Sequence, residues 1–221
     1  MTRAFRWQVA LLTLISMSLS HASGEDQYLG WNRNQSAAIG LQTYKRGRVG
    51  GFWDTRGLDT DRPYNYKLAA TWMTPETIRA TARLTQLGSR LSDSATKALV
   101  AEAESVNGSV IIVEIDPREG SGVIPNDWEA FLQPKGRPEF AVAGTKDSSL
   151  RNVRGLAGVM ERNYDYDRFW VVFPLKRSDN TPLFASSDQK AELVVRIKKK
   201  EGHVEWSIPD SIRSQSNNHP L

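Results

Sequence analysis

The stretch Tyr66-Lys67-Leu68-Ala69-Ala70-Thr71-Trp72-Met73-Thr74-Pro75-Glu76 carries the decisive transition of the chain. Positions 66, 68, 70 and 72 are apolar or aromatic, so alternation places them on one face of a strand. Thr74 then offers a hydroxyl N-cap and Pro75 fills the first helical position, where a missing backbone N–H costs nothing. A strand therefore runs straight into a helix.

That helix presents Ile78, Ala82, Leu84 and Leu87 and ends at Gly88. Ser92 caps a second helix, with Asp93 at the positive end of its dipole. Leu91, Ala95, Ala98, Leu99, Ala103 and Val106 recur at three and four, an amphipathic stripe closed by Asn107-Gly108. Residues 75–106 thus read as a helical hairpin.

Downstream, the pattern is that of sheet. Val110 to Ile115 is a β-branched run stopped by Asp116-Pro117. Asp127–Gln133 and Phe140–Ala143 flank the loop Pro134-Lys-Gly-Arg-Pro138, the signature of a hairpin. Phe169 to Phe173 is a strand cut off by Pro174. Leu193, Val195 and Ile197 pair with Val204, Trp206 and Ile208 across a Lys-Glu-Gly turn, with Lys198-Lys199-Lys200 as a solvated tip. Strands joined by hairpin-length loops favour antiparallel pairing. The expected fold is α+β: an antiparallel, sandwich-like sheet with an inserted helical hairpin.

Upstream, Arg3 and Arg6 form a positive n-region, Val9 to Leu19 an apolar h-region, and Ser20-His21-Ala22 a small-x-small cleavage pattern. Serines at 16, 18 and 20 erode the apolar run before the roughly 20 residues a spanning helix needs. Residues 1–22 thus read as a cleavable signal peptide, leaving no stable membrane span. The expected location is periplasmic or extracellular. Residues 23–63 form an irregular, partly disordered segment with a short strand near Ile39–Tyr44. The globular domain covers 64–213, and 214–221 is a flexible tail.

The formal charge of +4 includes Arg3 and Arg6, so +2 remains after processing. A chain so near neutrality lacks the basic footprint of a nucleic-acid binder. With no cysteine, disulfides, thiol catalysis and Cys-ligated zinc are excluded. No phosphate-binding glycine loop or nucleophile elbow is present. No cofactor is called for.

His203 is the one histidine expected in ordered structure, with no carboxylate or serine partner nearby in sequence. Loop acids come in two groups: Asp54, Asp59 and Asp61, and Asn163, Asp165 and Asp167. Asp165 and Asp167 are weak Ca²⁺ candidates, because Arg168 and Pro174 stand where a calcium loop wants glycine and glutamate. Tryptophan is well supplied. Trp72, Trp170 and Trp206 lie in register with aliphatic neighbours and read as core, whereas Trp31, Trp53 and Trp128 are open to stacking on sugar rings. The functional expectation is an exported, non-enzymatic protein that binds a protein or glycan partner or supports the envelope. The alternatives are glycan binding through Trp128, Trp53 or Trp31, and a carboxylate-dependent hydrolase.

Overall fold

The computed structural model describes residues 24–50, 65–118 and 122–218. The expected signal peptide, Trp53 and the acids at 54, 59 and 61 lie outside these residues. In chain order the elements are α1 (Arg33–Leu41), β1 (Tyr44–Arg46), β2 (Arg48–Val49), β3 (Tyr66–Trp72), α2 (Pro75–Ser89), α3 (Asp93–Glu104) and β4 (Ser109–Pro117). There follow β5 (Glu129–Pro134), β6 (Val142–Ala143), β7 (Thr145–Lys146), β8 (Asp167–Phe173), β9 (Lys190–Ile197), β10 (Lys200–Ser207) and α4 (Asp210–Asn218).

Two antiparallel five-stranded sheets face one another. The first runs β1-β3-β4-β8-β7 and the second β2-β10-β9-β5-β6. The fold is α+β, a sandwich-like pair of sheets with the helical hairpin inserted between β3 and β4.

Side-chain alternation explains the layers. Ile111, Val113 and Ile115 of β4 point between the sheets, where they meet Trp72, Leu132, Leu193, Val195 and Ile197. Val110 and Ile112 point the other way, into a second core with Ile78 and Ala82 of α2 and Val100 and Ala103 of α3. Buried on both faces, β4 reads as a continuous apolar run. Among the described residues no helix lies on the outer face of the second sheet, and β10 alternates, with Gly202, Val204 and Trp206 buried and the residues between them not.

Buried polar groups have partners that lock the layers. Trp72 Nε1 donates to Ser109 Oγ at 2.6 Å and Trp206 Nε1 to the Thr43 carbonyl at 2.6 Å. Tyr66 Oη crosses the sandwich to donate to the Val195 carbonyl at 2.8 Å. Trp72 and Trp206 are buried and pack with their rings tilted at 60°, centroids 5.6 Å apart. Trp170 packs instead in the helix-facing core, its indole N–H donating to the Leu156 carbonyl.

The caps follow the sequence closely. Thr74 and Ser92 accept from the backbone N–H groups of Thr77 and Ala95. The buried face of α3 is rotated from the expected stripe: Thr96, Val100 and Ala103 face inward, while Ala98 is exposed. Thr96 tolerates burial because its hydroxyl donates to the Ser92 carbonyl at 2.8 Å. Helix α2 ends at Ser89 rather than Gly88, with Arg90 supplying the left-handed cap at φ 54°.

Three expectations are corrected. Residues 33–41 form a helix, so the strand expected near Ile39–Tyr44 begins only at Tyr44. This helix buries Ser36 and Gly40, small residues that carry no apolar periodicity. Residues 214–218 of the expected tail are also helical, as part of α4, in which Ile212 is buried and Ser216 Oγ donates to the Leu175 carbonyl at 2.8 Å. In the last hairpin the turn is tighter than expected. Ile197 lies opposite Lys200 and Leu193 opposite Val204, because Lys198 adopts φ 52° and reverses the chain at once.

Candidate functional site

The open face of the second sheet gathers the chemistry that the sequence scatters. One row across it runs Ala143, Phe131, Val194, His203 and Arg48, each cross-strand from the next. A flanking row carries Glu129, Arg196 and Glu201, and the opposite one Gln133, Glu192 and Glu205. The tight hairpin register produces these rows.

At the centre, Val194 is 7% exposed although no helix covers it; its cross-strand neighbours Phe131 and His203 flank it on that face. The Arg196 guanidinium lies 5.3 Å from the Phe131 ring centroid, a cation–π contact. Around this apolar centre the charges neutralise one another. Arg196 donates to Glu201 at 2.7 and 2.9 Å, and Lys135 Nζ donates to Glu205 at 2.7 Å. The Lys135 ammonium holds the Glu205 carboxyl below the usual carboxylate range, against a smaller opposing effect of burial.

His203 has partners that its sequence neighbourhood did not disclose. Its Nδ1 lies 3.1 Å from Glu192 Oε1, and Gln133 Nε2 donates to the other Glu192 oxygen at 2.8 Å. The Gln133–Glu192–His203 chain resembles the orienting half of a hydrolytic triad. The remaining ring nitrogen, Nε2, faces Glu201 Oε2 at 3.7 Å. A triad needs a hydroxyl or thiol there. Among the described residues, the group recorded at that nitrogen is the Glu201 carboxylate. The glutamates also lie on a sheet face, whereas paired carboxylates that cleave glycosides flank the bond they break.

The other sequence candidates are dispersed. Trp128 is 3% exposed, set edge-on to Phe169 with centroids 5.1 Å apart and with Lys146 Nζ 4.7 Å from its ring centroid. An indole so enclosed presents no open face to a sugar ring. Trp31 is half-buried against Tyr28 beneath the helices, and its carbonyl accepts from Arg83 Nε at 2.8 Å. Asn163 Oδ1 accepts from the Asp165 N–H at 3.0 Å, forming a local turn. Asp167 opens β8. Among the described residues, no three His, Asp or Glu side chains are grouped as a metal site, and no helix is long and apolar enough to cross a membrane.

Phe131, Val194 and the Glu192–His203 pair escaped sequence reading. The available signal was the alternation of β9 and β10, which assigns Glu192, Val194 and His203 to one face once the turn is placed at Lys198-Lys199; Phe131 joins them only through the pairing of β5 with β9. No protein-family model matches the chain, and no curated protein or solved structure matches it significantly.

Proposed function

We propose that this chain is an exported, non-enzymatic binding protein, and that the open face of its second sheet contacts a folded protein partner. The observation that carries the reading is the anatomy of that face. Phe131 and Val194 form an apolar centre inside a rim of paired charges, the arrangement of protein–protein interfaces. A broad sheet face of this kind suits another protein surface better than a small ligand. Export is supported by the n-region, h-region and cleavage pattern of residues 1–22. Burial of Trp128 leaves the glycan reading without its leading platform.

The test places a photo-crosslinking residue at position 131 and, separately, at the exposed position 102 on α3, in cells that produce the protein. The expected result is one discrete adduct from position 131, in the envelope or extracellular fraction, and none from 102. Adducts of equal yield from both positions, or none from either, would reject the reading.

A further inference from the structure

A cleft of about 610 Å³ lies between the segment containing Glu139–Ala143 and the loop containing Pro174–Asp179. That volume is within the range of small-molecule sites. Phe140, Ala141, Val142 and Pro174 give it apolar walls, and Lys176 and Arg177 bring cationic groups to it.

Arg177 is the unusual residue. Its guanidinium carbon lies 4.4 Å from the Phe140 ring centroid, and that of Arg137 lies 4.7 Å from the same ring. Arg137 is neutralised by an ion pair with Asp188. Arg177 forms no such pair among the described residues: its guanidinium lies over the ring, Asp179 acts on it only as a nearby charge, and its Nε is buried without a hydrogen-bond partner. No other buried side-chain nitrogen or oxygen among the described residues lacks one. A buried donor left unpaired costs about 1–3 kcal/mol, and more when charged, so such a group in a functional protein calls for an explanation.

The nearby acids do not provide one. Asp179 lines the cleft, but its Oδ1 accepts from the N–H and hydroxyl of Thr181. Glu139 also lines it and forms no ion pair with Arg177. The cleft wall further includes edge-strand backbone. Gly144 N–H donates to the Ala130 carbonyl at 2.9 Å, so ladder alternation turns the N–H of Ala143 away from β5.

We propose that this cleft binds a ligand bearing a carboxylate on a flat apolar body, the carboxylate meeting the guanidinium of Arg177, which Phe140 holds in place, and the body lying against Ala141, Val142 and Pro174. Guanidinium matches the planar geometry of a carboxylate through parallel N–H donors, and the apolar walls match the body. The proposal stands apart from the partner-binding face and survives or fails without it.

Proton–nitrogen NMR of the arginine side chains in the full chain provides the test, with benzoate as probe. The expected result is a saturable shift of one Nε–H resonance, assigned to Arg177 by its disappearance in Arg177→Gln. Arg177→Lys keeps the charge and removes the planar fork, so benzoate should bind it at least about tenfold more weakly, as loss of a charged hydrogen bond implies. Phe140→Leu should weaken binding with Arg177 intact. A shift that does not saturate, or equal affinity in Arg177→Lys, overturns the proposal. Tighter binding of inorganic phosphate than of benzoate overturns the carboxylate assignment.

Discussion

Gly47 and Gly144 occupy equivalent positions on opposite sides of the sandwich, each at the point where a short edge segment leaves one sheet and enters the other. Tyr44–Arg46 pairs with β3 in the first sheet and Arg48–Val49 with β10 in the second. Val142–Ala143 pairs with β5 in the second sheet and Thr145–Lys146 with β8 in the first. Both open sides are thereby laced, and each edge is reduced to two or three residues that bend away. Short, bent edges resist strand-to-strand aggregation.

Neither glycine can carry a side chain without movement. A Cβ at Gly47 would lie 2.8 Å from Leu68 Cδ2 and 3.0 Å from the His203 carbonyl, and one at Gly144 would lie 2.4 Å from Val171 Cγ1. Gly47→Ala and Gly144→Ala should each lose about 1–3 kcal/mol, as overpacking does. Gly88→Ala in α2 meets nothing within 4 Å and should gain about 0.5–1 kcal/mol from reduced backbone entropy. Urea titration of the three variants checks the contrast.

Among the described residues, Glu114 and Arg168 form the most enclosed ion pair, with side chains 8% and 15% exposed. Arg168 donates to one glutamate oxygen through Nε at 2.9 Å and Nη2 at 2.6 Å, and to the Ala157 carbonyl through Nη1. Arg168→Met should cost about 3–5 kcal/mol because it strands a buried carboxylate. The double variant E114L/R168M should recover most of that loss. A double variant no more stable than R168M would show that the pair's value is not electrostatic.

Stability should fall on the alkaline side. Burial pushes the Tyr28 hydroxyl above its ordinary value of 10.0, aided by the Asp26 carboxylate, and burial raises Tyr166 likewise. A raised folded-state value keeps the contribution whole below 10.0 and removes it as pH climbs through the folded value, because the unfolded chain loses its proton first. Tyr28→Phe cannot ionise, so its unfolding midpoint should decline less steeply above about pH 10. Parallel pH profiles of the two proteins would refute this.

His203→Ala should leave the fold and the biological role intact, since the ring's free nitrogen meets a carboxylate rather than a nucleophile. Phe131→Asp should abolish partner capture while the thermal midpoint stays close to that of the parent, because Phe131 lies on the open face of its strand. Loss of the role in folded H203A would return the Glu192–His203 pair to consideration as a reactive centre.

Local chemistry was legible wherever one residue type answers one local requirement. Thr74-Pro75 and Ser92-Asp93 announced helix starts, because free N–H groups are satisfied by the very next side chains. The β4 run announced a strand, and its β-branched residues marked where it stops at Asp116-Pro117. Helix α1 was not legible, because it packs through Ser36 and Gly40, and close approach of small residues leaves no apolar rhythm.

The sequence alone determined the strand–helix–helix–strand order, the inward residues of the sheets and the leader pattern, since each depends on neighbours within a few positions. Tertiary structure alone decided that Trp128 is enclosed, that Glu192 meets His203, and that Arg177 and Arg137 share Phe140. Those facts depend on turn geometry and on which sheet each edge segment joins. A reversal at Lys198 rather than two residues later moves every cross-strand partner, while the pattern of inward and outward residues stays the same.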